Sequence, residues 1–185
     1  MAEKKYEEKF IQLYHSYVDE VYKFVYLRTG LNQQLAEDVT QDIFLEVYKS
    51  LKTFKGLSSE RTWLFKIVRN RLNDYYRKQY KHFSENTDIN NEELQTIPDS
   101  SQDIELELIK EYDKQLIRTC LNSLSPYYQL ILTMKYLDDS SVKHMAELLG
   151  KTTKSVESVL YRAKQAYIKE YLNLGQEEYR NENKK

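Results

Sequence analysis

The chain is poor in the residues that staple or break a fold. Its 185 residues include four Gly, two Pro and one Cys. A single thiol excludes an internal disulfide framework, and Cys120 falls in an apolar helical stretch, where a buried inert thiol is expected. So little Gly and Pro argues for helices joined by short turns. The three His, at positions 15, 82 and 144, are scattered without ligand spacing, so no metal site is expected. There is no phosphate-binding Gly loop and no nucleophile–base arrangement, which leaves catalysis, a cofactor and a small-molecule substrate unexpected. No apolar run approaches membrane-spanning length, and the first thirty residues lack a signal-peptide core, so the expected location is the cytoplasm. Net charge is −1, too small for a global field that would draw the chain to nucleic acid.

The charge that is present is segregated. Residues 61–82 carry seven Arg or Lys against one Asp, residues 85–107 carry eight acidic side chains and no basic one, and residues 151–169 carry five basic against one acidic. Such blocks say more than the total. The 61–82 stretch, RTWLFKIVRNRLNDYYRKQYKH, also holds five aromatics and no Gly or Pro. Leu64, Val68, Leu72 and Tyr75 recur at helical spacing, so one face can bury while Arg69, Asn70, Arg71, Asn73, Arg77 and Lys78 crowd the rest. Cations track phosphates and flat rings such as Trp63 offer a surface to unstacked bases, a combination suited to single-stranded DNA. The plainer reading is a solvated basic helix with core aromatics. Lys66, Asn70, Asn73 and Arg77 form one ridge, and the loop from Lys55 to Glu60 can wall a pocket for a flipped base. Arg69 and Arg71 either pair with Asp74 or lie elsewhere.

Helical periodicity organises the remainder. Residues 6–29 read as a helix through Phe10, Leu13, Tyr14, Tyr17, Val21, Phe24, Val25 and Leu27, ended at Thr29-Gly30. Asn32 is placed to cap a helix over about 33–52, whose apolar face is Leu35, Val39, Ile43, Val47 and Leu51, with Phe44 and Tyr48 alongside. Its other face bears Glu37, Asp38, Gln41, Asp42 and Glu46, a solvated ridge or a docking surface for something basic. The expected architecture is all-α: a helical domain over 6–82, a flexible acidic linker over 84–103 that lacks the apolar area to fold, a second helical domain over 104–173 and a polar, fraying tail over 174–185. Ile104, Leu108, Tyr112, Leu116 and Cys120 form a stripe in the second domain. Ser125-Pro126 then reads as an N-cap with Pro at the first helical position, opening a helix over 126–137.

Ala146, Gly150 and Val156 have the spacing of a helix-turn-helix. The small residue lets two helices approach, Gly makes the turn, and the branched residue locks the crossing. Met145, Leu149 and Val159 fall at further buried positions, and Thr152 or Thr153 can cap the second helix. That helix, about 153–170, exposes Lys154, Glu157, Ser158, Tyr161, Arg162 and Gln165 toward a major groove, where Arg reads guanine and Ser or Tyr contacts phosphate. A three-helix bundle without DNA is the structural alternative.

Taken together these segments resemble a bacterial sigma factor of the extracytoplasmic-function (ECF) type, over residues 8–82 and 107–170. "AEDVTQDIFLEVY" is similar to the family's polymerase-docking helix, "TWLFKIVRNRLNDYYRK" to its promoter-melting segment, and "LNSLSPYYQLILTMKYLDDSSVKHMAELLGKTTKSVESVLYRAKQ" to its −35-reading domain. The resemblance implies a specificity subunit that binds core RNA polymerase through its β′ and β subunits, recognises two promoter elements and opens the DNA, with an anti-sigma factor as its inhibitory partner. It implies polymerase contacts at Asp38, Gln41, Asp42 and Glu46; −10 contacts at Lys55, Trp63, Lys66, Asn70, Asn73 and Arg77; and −35 contacts at Lys154, Glu157, Ser158, Tyr161 and Arg162. The acidic linker would occupy a basic channel of the polymerase that nascent RNA later uses, or serve as a plain spacer. The chain departs from the family pattern at His144 in place of Glu, at Gln129 in place of Arg, and at Glu157 and Val159 in place of basic residues. These departures bear on the −35 sequence. A conventional helix-turn-helix regulator with an N-terminal interaction domain would explain residues 126–170 but leave the basic-aromatic helix and the acidic linker unaccounted for, and a nucleic-acid-processing enzyme with a DNA-binding tail would call for a carboxylate cluster or metal site that the sequence does not offer.

Overall fold

A computed structural model describes residues 2–86 and 113–182, and the chain divides into two compact units, Met1–Gln79 and Tyr80–Lys185. Among the described residues there are helices and turns and no strand. The acidic stretch from 87 onward and the Ile104–Leu108–Tyr112 part of the stripe lie outside the described residues.

The first unit is built from α1 (Ala2–Tyr26), α2 (Gln33–Leu51) and α3 (Glu60–Asn86) as far as Gln79. Its core joins Leu13, Val21 and Val25 of α1, Ile43 and Val47 of α2, and Leu64, Val68, Leu72 and Tyr76 of α3. Each such apolar side chain, fully buried, contributes roughly 1.5–3 kcal/mol. Rings extend the packing: Tyr14 meets Phe44 edge-on at 4.8 Å, and Phe24 meets Phe65 at 5.4 Å.

Several details differ from the sequence reading. On α3 the buried stripe steps from Leu72 to Tyr76, which is 1% exposed, and Tyr75 is only half-buried; the four-residue step that links 64, 68 and 72 simply continues. On α2 the most buried line is Ala36, Thr40, Ile43, Phe44, Val47 and Leu51, with Leu35 and Val39 at its half-buried margin. α1 ends at Tyr26, yet the chain winds on: the Thr29 amide donates to the Val25 carbonyl at 3.0 Å and the Leu31 amide to the Tyr26 carbonyl at 3.1 Å. Gly30, at φ 66°, takes the left-handed position that this closure requires. Leu27 falls on the outside of that last turn and is partly exposed. Asn32 caps α2 as expected, its side-chain oxygen accepting from the Leu35 amide at 3.0 Å.

The second unit contains α4 (Asp113–Ser123), α5 (Pro126–Leu132), α6 (Val142–Leu149) and α7 (Thr153–Glu182). Its core collects Cys120, Leu130, Ile131, Met134, Met145, Ala146, Leu149, Val156, Val159, Leu160 and Ala163. The stretch read as one helix over 126–137 is α-helical to Leu132 and then widens into a π turn, Thr133–Leu137. This keeps Met134 buried and turns Tyr136 and Leu137 outward. The Ser125 hydroxyl accepts from the Tyr128 amide and Pro126 opens the helix. α7 runs on to Glu182, into the stretch read from the sequence as a polar tail.

Candidate nucleic-acid interface

The turn between α6 and α7 is built from local chemistry. The Ser141 hydroxyl accepts from the His144 amide at 3.1 Å and starts α6; the absence of Glu at 144 therefore leaves this cap bond in place. Gly150, at φ 64° and ψ 37°, ends α6, and the Lys151 amide returns to the Ala146 carbonyl at 2.9 Å. Thr152, rather than Thr153, caps α7, accepting from the Ser155 amide at 3.1 Å. Ala146 and Val156 are both buried where the two helices meet. The helix-turn-helix is thus formed at the spacing read from the sequence.

Not every candidate on α7 faces outward equally. Lys154, Glu157 and Gln165 are exposed, while Ser158, Tyr161 and Arg162 are half-buried. Val159 is in the core and has no place on the reading face. Burial pushes the Tyr127 phenol of α5 up from its ordinary pKa, and the positive charge of Arg162 acts against that shift. Gln129 also serves the fold, its amide donating to the Leu124 carbonyl at 2.9 Å and so tying α5 to the end of α4.

On α3, Lys66, Asn70 and Arg77 are exposed and Asn73 is half-buried along one ridge, with Arg69 and Lys78 exposed beside it. Asp74 pairs with Arg77 at 2.9 Å, not with Arg69 or Arg71. Arg71 instead reaches Glu46 on α2 at 3.0 Å, so neither it nor Glu46 is an unencumbered surface group. Lys55 is exposed in the loop before α3. Trp63 is half-buried and stacked on Phe54 at 4.7 Å, and the Lys9 ammonium lies 5.5 Å from the centre of the Phe54 ring. Arg61 pairs with Glu20 and Lys9 with Glu60, tying the start of α3 to α1; the Glu20 carboxylate raises the Arg61 pKa further, chiefly through their hydrogen bond. Sequence reasoning missed Leu57, 90% exposed at the loop tip, and Leu45, 57% exposed on α2. The signal for Leu45 was present: it interrupts the polar ridge four residues after Gln41. On that ridge Asp38, Gln41 and Asp42 are exposed and close together. No group of metal-ligating side chains is found among the described residues, and no helix searched there is long and apolar enough to cross a membrane.

A basic helix with an exposed Asn–Arg ridge in one unit and a helix-turn-helix in the other coincide with two family patterns. Sigma-70 region 2 matches residues 13–82, and Sigma-70, region 4 matches residues 114–166. The chain belongs to the ECF-type RNA polymerase sigma factors. Among its curated relatives, RNA polymerase sigma factor YlaC of Bacillus subtilis is 28% identical over 86% of this chain and 90% of its own length. ECF RNA polymerase sigma factor SigM of the same organism is 27% identical over 83% of this chain and 90% of its own length. The sigma factor RpoE, solved with the anti-sigma factor NepR from Bartonella quintana, is 20% identical, with a TM-score of 0.45 over 92% of this chain and 98% of that one. As a sigma factor, the chain directs promoter-specific transcription by RNA polymerase. Sigma factors are recognition subunits that do no chemistry of their own.

Proposed function

We propose that three helical surfaces divide the work of this sigma factor. Asp38, Gln41 and Asp42 of α2 dock on a basic helical element of the core polymerase, where complementary charge speeds and orients association. Lys55 and Trp63 border the pocket for an extruded −10 base, and Lys66, Asn70, Asn73 and Arg77 carry the single strand, cations on phosphates and amides on base edges. Lys154, Glu157, Ser158, Tyr161 and Arg162 of α7 face the −35 element, Glu157 as an acceptor for cytosine and Arg162 as a reader of guanine. Glu46 supports the docking helix through Arg71. The domains run over 6–82 and 104–173, joined by the linker over 84–103 and followed by the tail over 174–185. The protein acts in the cytoplasm, without catalysis of its own, and an anti-sigma factor is its inhibitory partner.

The observation that carries this reading is the exposed Lys66–Asn70–Arg77 ridge, on the face of α3 opposite the buried Leu64–Val68–Leu72 line. Core burial does not require Asn and Arg there. Asn70→Ala and Arg77→Ala are expected to keep core-polymerase binding but to block strand opening, read as permanganate reactivity of unpaired thymines at the −10 element. Wild-type reactivity in both variants would return the ridge to a solvated helix face.

A further inference from the structure

The loop over residues 52–59, which joins α2 to α3, is tied at both ends. At its start the Thr53 amide donates to the Ser50 carbonyl at 3.0 Å and the Phe54 amide to the Leu51 carbonyl at 3.2 Å. At its end the Ser59 hydroxyl accepts from the Thr62 amide at 3.1 Å, and the Trp63 amide donates to the Ser59 carbonyl at 3.0 Å. Lys55, Gly56 and Leu57 between them are exposed. These bonds are all local. They shape each end of the loop but do not set one end against the other.

A side chain from outside the loop reaches both ends. The Lys9 ammonium of α1 lies 5.5 Å from the centre of the Phe54 ring and 3.4 Å from a carboxylate oxygen of Glu60, the first residue of α3. The first contact is within the range at which a cation is drawn to a ring. Phe54 in turn stacks on Trp63 at 4.7 Å. One turn along α1 from Lys9, Leu13 is buried in the core, which fixes the point from which Lys9 extends. Arg61 with Glu20 ties the same two helices a second time. Global stability does not call for Lys9. The Lys9 and Glu60 side chains are 48% and 46% exposed, and ion pairs open to water add little to folding. What the contacts supply is local order. A site whose walls are held before its ligand arrives loses less conformational freedom on binding.

We propose that Lys9 is a positioning residue for the −10 pocket. It holds Phe54 and Glu60 at the two ends of the loop, so that Lys55 and Trp63 present a preformed wall to the extruded base. The inference rests on the pocket proposed above. It adds to that pocket a part of the chain, the first turns of α1, that lies ahead of the stretch matching region 2. Lys9 acts through Phe54 and Glu60 and touches no base itself.

Holoenzyme reconstituted from the full-length chain and core polymerase tests this on a promoter that it selects from a randomised pool. The probe is that promoter as forked DNA with a single-stranded −10 segment, each nucleotide replaced in turn by an abasic one. Wild type is expected to lose affinity sharply at one position, where the pocket takes the base. Lys9→Ala should weaken binding of the intact fork by about fivefold and shrink the abasic penalty at that position by about the same factor. Lys9→Arg keeps the cation and should stay within about twofold of wild type. In the free chain, acrylamide should quench Trp63, the single tryptophan, more readily in Lys9→Ala than in wild type, while unfolding midpoints match. A full wild-type abasic penalty in Lys9→Ala would overturn the positioning role, and it would do so equally if the intact and every abasic fork weakened alike, the mark of a plain phosphate contact. If wild type itself shows no position of sharp loss, the pocket reading falls, and this inference with it.

Discussion

Replacing Gly150 isolates backbone strain at the turn of the helix-turn-helix. Its φ of 64° is one that L-residues adopt at a cost of about 1–2 kcal/mol. A Cβ built there meets nothing within 4 Å, so a clash adds no further cost. In the opposite direction, Ala narrows the unfolded ensemble and recovers about 0.4–1 kcal/mol. Taking the middle of each range, Gly150→Ala should therefore destabilise by roughly 0.8 kcal/mol. Gly150→Val should cost about 2 kcal/mol or more, because β-branching disfavours the left-handed region further. Gly150→Asn should cost least, since Asn visits that region readily. Urea unfolding of the full chain followed by far-UV circular dichroism would measure the series. With a slope of about 1–3 kcal/mol per molar, a 1 kcal/mol loss moves the midpoint by roughly 0.3–1 M. The single tryptophan, Trp63, lies in the first unit, so its fluorescence gives an internal reference for a change made in the second. Equal stability of Gly and Ala at 150, or an Asn variant weaker than the Ala variant, would refute the argument from left-handed strain.

Other consequences are open to equally direct measurement. The Glu46–Arg71 pair is about one-third exposed on each side, so Arg71→Ala should cost about 0.2–1 kcal/mol, and a double-mutant cycle with Glu46→Ala should show coupling that shrinks with added salt; a coupling of zero at low salt would remove it as a link between α2 and α3. Cys120 is fully buried and should react with a thiol reagent in the native protein far more slowly than in denaturant; prompt native labelling would contradict its burial. Thr152→Ala removes the cap of α7 and should cost about 1 kcal/mol by chemical unfolding, with Thr153→Ala close to neutral; the reverse order would reassign the cap. Burial raises the phenol pKa of both Tyr75 and Tyr127. A folded-state pKa above the unfolded one means that the stabilisation is complete below about pH 10 and is lost as pH rises through the higher folded value. Tyrosinate absorbance should accordingly show some tyrosines ionising late, together with unfolding; a single unperturbed titration of all the tyrosines would contradict this.

Local rules carried much of this fold. Caps at Asn32 and Ser125, left-handed glycines at 30 and 150, and the 146–150–156 spacing depend on residues within a few positions of one another, and each was legible in the chain. Apolar periodicity likewise identified the helices and most of the core. The slips at Tyr75 and Leu27 are of one residue or one turn, because a 3.6-residue repeat read in whole steps of three or four drifts by a fraction of a turn. The π turn after Leu132 and the helical course of 174–182 had no clear signal in composition. The sequence alone also determined the family, since the order of an acidic docking helix, a basic-aromatic helix and a helix-turn-helix is a property of the chain.

What it left open was which polar groups remain available at each surface. Glu46 is engaged by Arg71, 25 residues away; Trp63 leans on Phe54; Arg162 is half-buried; and Leu45, inside an apolar-looking run, faces out. Periodicity places a residue on a side of its own helix. Whether that side meets water or a neighbouring helix depends on where the other helices pack, and long side chains such as Arg and Glu then pair with whatever charge comes within reach. Those contacts join residues far apart in sequence, so only the tertiary structure decides them.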